Sequence, residues 1–283
     1  MARLFIDAQH GLCNRLRAMA SAASIARRTG RELVIVWVPD AHCAARLTDL
    51  VDYPGPILER ATEAELARTR AAHRWNYMEI EEGAAFQAPI LEDDPGGDVW
   101  IRSAYTLTSP HRDWRLEQAW LRALVPAAPV VALLRDVPRP SDLSVHVRMA
   151  TGPAFDHMAH EAPENWPAHR HAELVEARQA SHADRFTDRI DALIAGGEAE
   201  TVFLAADLAE TYDLFRDRYG ARLRMIGRNA YDRSVVQLQY ALADLVALAS
   251  GRRFLLSAVS SFSDMALRLA VPGRPVERAG EDF

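Results

Sequence analysis

The chain has 283 residues, enough for one large or two medium domains, and its 49% apolar and 25% charged content is an ordinary globular balance. A net charge of -6 argues against a general nucleic-acid binder, which needs a basic face for the phosphate backbone. Two cysteines, Cys13 and Cys43, are too few for a disulfide framework or a zinc ligand set and fit a reducing compartment.

In chain order, Leu4-Phe5-Ile6 opens a strand with no cleavable apolar leader before it, and no apolar run of about 18 residues follows anywhere. The expectation is a cytoplasmic protein with no integral membrane segment, able to act peripherally at a membrane surface. From Leu12 the apolar positions Leu12, Leu16, Met19, Ala23 and Ala26 recur at helical spacing, and Gly30 is a natural terminator. Residues 33–38, Leu-Val-Ile-Val-Trp-Val, read as a strand covered on both faces. Such a β-α-β unit sets the loop at Gly11 over a sheet end and against a helix N-terminus, where anions bind well. Asn14 and Arg15 fall in the first helical turn, where they either reach a ligand or, like Arg17, are solvated. The segment from Gly11 to Arg17 is neither a G-x-G-x-x-G fingerprint nor a P-loop.

Residues 59–72 read as a helix, 81–97 as a loop, 99–101 as a strand and 115–124 as a helix. Pro126, Pro129, Pro138 and Pro140 bracket a segment that reads as a hinge, giving domains of 1–138 and 139–283. Beyond it, strands at 143–149, 201–206, 223–226 and 253–258 alternate with helices at 168–195, 208–219, 233–249 and 262–270. That alternation predicts a parallel, doubly wound α/β sheet, with ligands outside the C-terminal strand ends. Arg148, Asp207 and the serines after Leu256 fall at those ends.

His146 and Arg148 project to one face of their strand, about 6.6 Å apart along it. The arginine fork suits a phosphate or pyrophosphate, although a strand-end His-x-Arg is also a common solvated pair. Ser260, Ser261, Phe262 and Ser263 open the last helix, as ordinary caps or as a phosphate cradle. Asp244 lies among Leu242, Leu245 and Leu248, either facing solvent or accepting two hydrogen bonds from a base edge such as that of guanine, to which His146 adds a contact. His157, His160, His169 and His171 fit no metal-ligand spacing, and Pro163 and Pro167 interrupt them, so surface or lid histidines are favoured over a metal site. No Asp-x-Asp motif and no G-x-S-x-G elbow occurs.

Taken in order, Gly11-Leu12-Cys13-Asn14-Arg15-Leu16, Val145-His146-Val147-Arg148, Phe203-Leu204-Ala205-Ala206-Asp207, and Asp244 through Phe254-Leu255-Leu256 to Ser260-Ser261-Phe262-Ser263 resemble the fucosyltransferase superfamily of α1,2-, α1,6- and protein O-fucosyltransferases. The resemblance implies a GT-B-like fold, with two Rossmann-like domains facing each other across a cleft. The N-terminal domain would sit on the acceptor side and the C-terminal one would hold the donor. It further implies an inverting glycosyltransferase that needs no metal and no cofactor. The donor would be GDP-fucose, the favoured member of a set of nucleotide sugars, and the acceptor a glycan, lipid-linked glycan, peptide or small molecule. By position, Arg148 would be catalytic, binding the pyrophosphate and stabilising the departing GDP. His146 and Asp244 would contact the guanine; Ser260, Ser261 and Phe262 would line the phosphate end. Asn14 and Arg15 would approach the pyrophosphate from the N-terminal domain, and Asp207 matches the acid that ends a family strand. The chain departs from the family where Met149, Ala150 and Thr151 replace a second arginine and an acid. That departure keeps a non-catalytic nucleotide-sugar or glycan binding protein as the alternative, with a metal hydrolase built on the histidines as a third reading.

Overall fold

The computed structural model describes residues 1–93, 95–158 and 161–283. It resolves the chain into two compact units, Met1–Ala127 and Ala128–Phe283. The first unit contains, in order, β1 (Arg3–Ala8), α1 (Leu12–Arg28), β2 (Glu32–Val36), β3 (Val51–Asp52), β4 (Ile57–Leu58), α2 (Ala61–Arg70), β5 (His73–Asn76), β6 (Val99–Ser103), α3 (Trp114–Arg122) and β7 (Val125–Pro126). Its sheet runs β4-β2-β1-β6-β5 with every pairing parallel, while β3 and β7 form a small antiparallel pair. The alanine-rich α1 buries nearly all of its length, and its small side chains let it lie close against β1, β2 and α3. Thr29 caps it and Gly30 leaves it at φ +65°, a left-handed turn that glycine takes without steric cost.

The second unit contains α4 (Ala128–Leu134), β8 (Leu143–Val147), α5 (Ala168–Ala180), α6 (Ala183–Ala195), β9 (Val202–Ala206), α7 (Ala209–Tyr219), β10 (Leu223–Arg224), α8 (Val235–Ser250), β11 (Arg253–Ser257), α9 (Ser261–Leu269) and β12 (Val276–Ala279). The sheet order is β10-β9-β8-β11-β12, again wholly parallel. The chain therefore winds outward from β8 in one direction and then restarts at β11 on its other side. Ligands of open parallel sheets bind beside such a reversal, at the carboxyl ends of the strands.

Alternation along β8 divides its side chains between two layers. Leu143, Val145 and Val147 join Phe186, Ile190 and Leu193 of α6 and Tyr212 and Phe215 of α7 in the core on one face. Ser144 and His146 face the other way, bonding to the Leu248 carbonyl of α8 and to Ser263 of α9. Fully burying each large apolar side chain contributes about 1.5–3 kcal/mol, so this layer fixes where β8 ends and hence where Arg148 stands.

Two expectations are corrected here. The division between the units falls inside the Pro126–Pro140 segment, but α4 forms there and packs on α8, so the second unit starts at Ala128 rather than at 139. Pro129 is compatible with that helix because it occupies the first turn, where a backbone N–H is not required. The single helix expected over 168–195 is two helices broken at Ser181 and His182. Among the described residues, no helix is long and apolar enough to cross a membrane.

Candidate functional site

Arg148 leaves the end of β8 and enters a cluster of charges. Its Nη1 donates to Asp207 Oδ2 at 2.9 Å and its Nη2 donates to Glu161. Those bonds use two of the five donors of a guanidinium. Asp207, just past β9, also accepts from the backbone N–H groups of Met149 and Ala150 at 3.1 and 2.7 Å. It thereby fixes both the arginine head and the start of the loop beyond it. Glu161 is buried, accepts from Thr151 Oγ1 at 3.0 Å, and lies 3.6 Å from Arg233 Nη2. Burial works against the charge on Arg148, but Glu161 and Asp207 outweigh it and raise its pKa above the ordinary arginine value.

The neighbouring strand end completes the cluster. Ser257 Oγ accepts from the Arg148 N–H at 2.8 Å and donates to the His146 carbonyl at 3.1 Å, stitching the tip of β11 to the tip of β8. Ser263 Oγ donates to the Ser257 carbonyl at 2.9 Å, which uses its only hydrogen. His146 must then donate Nδ1–H to Ser263 Oγ, 2.8 Å away, leaving its lone pair on Nε2. Burial depresses the His146 pKa to about 3, so the ring is neutral. It stacks on Phe262 with centroids 4.6 Å apart.

Ser260 caps α9 by accepting from the Ser263 N–H at 3.4 Å. The Ser261 and Phe262 N–H groups begin the helix and have no intrahelical acceptor, so the first turn of α9 presents donors beside the end of β11. Before it, Val259 is held at φ +47°, a left-handed conformation that a β-branched residue adopts only under constraint. Arg178 of α5 supplies that constraint, donating to the carbonyls of Ala258 and Val259 at 3.1 Å each. Nothing in the sequence marked Arg178, which lies on a polar helix with no motif around it.

The structure thus brings His146, Arg148, Asp207, Ser260, Ser261 and Phe262 to the adjacent ends of β8, β9 and β11. Asp244 differs from both alternatives read for it. It is buried on α8, and both of its oxygens accept from Arg228 Nη2, at 2.7 and 2.8 Å. Burial raises its pKa to about 6 against the pull of Arg228. Arg228 in turn lies over the Tyr212 ring at 4.4 Å, and neither member of the pair shares a hydrogen-bond partner with His146. Asp244 is therefore half of a buried ion pair, not an open acceptor for a base edge.

In the first unit, Asn14 stands in the opening turn of α1, partly buried. Arg15 is not a ligand-facing group: it is fully buried, and donates to the His10 carbonyl at 2.7 Å, the Val38 carbonyl at 2.9 Å and Asp40 Oδ2 at 2.7 Å. With its guanidinium over the Trp37 ring at 4.9 Å, it ties the β1–α1 loop to the segment after β2. The sequence reading also missed a polar cluster at the ends of β1 and β6. There Arg102 spans Asp7 and Glu81, and His10 stacks on His42 with centroids 5.2 Å apart.

Of the four histidines weighed as metal ligands, His157 and His169 are exposed and His171 Nε2 lies 3.3 Å from Asp156, while His160 lies outside the described residues. Among the described residues, no group of three or more His, Cys, Asp or Glu side chains is placed to hold a metal ion.

No family model and no curated protein matches the sequence. Solved structures do match over nearly the whole chain. NodZ alpha-1,6-fucosyltransferase soaked with GDP-fucose aligns with a TM-score of 0.58 and 18% identity, over 95% of this chain and 93% of that one. Fucosyltransferase NodZ from Bradyrhizobium gives a TM-score of 0.55 at 16% identity, covering 95% and 94%. POFUT1 in complex with GDP-fucose gives 0.55 at 13% identity, covering 99% and 97%. The chain has the fucosyltransferase-like GT-B fold.

Proposed function

We propose that the protein is an inverting glycosyltransferase that moves fucose from GDP-fucose to an acceptor hydroxyl without a metal ion. The observation that carries this reading is Arg148, set beside the donor-rich start of α9 where the second sheet reverses its winding. The fold is that of fucosyltransferases, two of which were solved with GDP-fucose. The absence of an Asp-x-Asp motif from the sequence fits a reaction in which arginine and backbone N–H groups take the place of a metal.

In this reading the acceptor oxygen attacks the sugar carbon as its bond to the diphosphate oxygen breaks. The electron pair of that bond leaves on GDP, and the configuration inverts. Arg148 meets the charge that builds on the leaving diphosphate. A preorganised donor of that kind typically lowers a barrier by about 3 kcal/mol. Asp207 holds the guanidinium in place, and the neutral His146 ring presents Nε2 to accept from the base. Ser260, Ser261 and Phe262 line the diphosphate end. Glu161 is the buried ion partner of Arg148. The acceptor belongs to the hydroxyl-bearing classes of glycan, lipid-linked glycan, peptide or small molecule.

Release of GDP from GDP-fucose, measured in EDTA across a panel of glycan acceptors, tests transfer directly. Acceptor-dependent release that Arg148→Ala lowers by about 100-fold or more is expected. GDP binding without release on any acceptor would favour the non-catalytic binding protein, for which the missing second arginine at Met149 is the supporting observation.

A further inference from the structure

We propose that Arg178 is a positioning residue for the diphosphate of the nucleotide donor: it shapes the Ala258–Ser260 turn and adds a second positive charge beside Arg148. This inference rests on the reading of the site as a GDP-sugar site. Arg178 is more than nine-tenths buried, and its Nη1 and Nη2 each donate to a backbone carbonyl, those of Ala258 and Val259. Its Nε is buried with no hydrogen-bond partner. Buried arginines are ordinarily paired with a carboxylate. The groups that face Arg178 electrostatically are Arg148, Asp207 and Glu161, and both acids are bonded to Arg148 instead. Burial and the neighbouring Arg148 together lower the Arg178 pKa to about 10, so the charge persists at neutral pH in a place that disfavours it.

The geometry explains why the charge is kept there. A peptide plane sets its N–H opposite its C=O. Arg178 draws the carbonyls of Ala258 and Val259 toward itself, which turns the N–H groups of Val259 and Ser260 away from it. Neither N–H meets an acceptor among the described residues. They precede the free donors of Ser261 and Phe262, so successive backbone N–H groups follow one another around the turn into α9. Such runs of donors form concave anion sites. The left-handed Val259 is what this arrangement requires, and the Arg178 fork is what holds it. Met149 brings no cation from the β8 side; Arg233 lies against Glu161, and Arg178 is the arginine of the cluster that holds the turn before α9.

The test is calorimetric titration of the full chain and of Arg178→Gln and Arg178→Lys with GDP and, separately, with guanosine. Arg178→Gln is expected to weaken GDP about tenfold or more while guanosine binding stays within about twofold, and Arg178→Lys, which keeps the charge but not the fork, is expected to fall between. A purely structural role would weaken both ligands in parallel or lower only the melting temperature, and either result overturns the inference. So does an Arg178→Gln protein that binds GDP like the wild type. Should Arg178→Gln fail to fold, Arg178→Lys decides: GDP weakened about threefold or more with guanosine unchanged supports the inference, and wild-type GDP binding overturns it. Wild-type protein that binds no GDP overturns the functional reading and this inference together, whereas normal wild-type binding with indifferent variants overturns this inference alone.

Discussion

Arg148 stands between two acids, so its removal acts on stability as well as on chemistry. Arg148→Ala leaves Glu161 buried without its strongest partner, which typically costs about 3 kcal/mol, whereas Asp207 still accepts from two backbone N–H groups. The expectation is that Arg148→Ala lowers the urea midpoint and that adding Glu161→Gln restores most of the loss without restoring GDP binding. An unchanged midpoint in the single variant would contradict the pairing. His146 gives a pH-dependent counterpart. Its pKa falls from 6.5 unfolded to about 3 folded, so the unfolded chain takes up the proton first. Its contribution to stability is complete above pH 6.5 and shrinks as pH falls toward 3, by about 1.4 kcal/mol per unit. Between about pH 7.5 and about pH 5, wild-type protein should lose about 2 kcal/mol more than His146→Asn in urea unfolding. Equal losses would contradict a buried neutral ring. His146, Arg148 and Asp207 were legible in the sequence because strand alternation and strand ends define positions. Arg15, Arg178 and Asp244 were not, because a residue on a helix shows neither its burial nor the carbonyl or ion partner that tertiary packing brings to it.

The start of α9 is the element on which structure and binding separate most cleanly. Ser260 is its N-cap, and Ser260→Ala should cost about 1 kcal/mol of stability. Ser261 follows as the first helical residue and caps nothing, so Ser261→Ala should leave the melting temperature nearly unchanged while weakening GDP about two- to tenfold, by about 0.5–1.4 kcal/mol. Thermal unfolding and GDP titration of the pair check this split, and a Ser261→Ala protein with full GDP affinity would remove that serine from the phosphate end. The elements themselves were legible to different degrees. The apolar runs of β1, β2, β8, β9 and β11 announced buried parallel strands, and the spacing from Leu12 announced α1. β3, β4 and β7 span two residues each, too short for any periodicity to show, whereas β10 forms over the first two residues of the strand read at 223–226. The prolines around α4 resembled a linker because a proline in a first helical turn and a proline in a loop look alike in sequence.

At the scale of the whole molecule, two parallel sheets follow one another along the chain. The first runs outward from β1 through β2 to β4 and then places β5 at the far edge, with β6 returning between β5 and β1; the second is wound outward in both directions from β8. In the second unit that winding places the tips of β8 and β11 side by side, which is why motifs more than a hundred residues apart in sequence share hydrogen bonds. The alternation of strands and helices after Pro140 was enough to foresee this sheet and the strand ends that carry the site. What binds there is decided by charge and by the base. On the proposed reading a guanine nucleoside diphosphate binds there, held through Arg148. Calorimetric titration of the wild-type protein with GDP, UDP, ADP and CMP in EDTA, beside Arg148→Ala/Glu161→Gln, tests it most directly. Binding selective for GDP, and lost in the variant, is the predicted result. Binding of none of the four nucleotides, or GDP binding that survives the loss of Arg148, would contradict it.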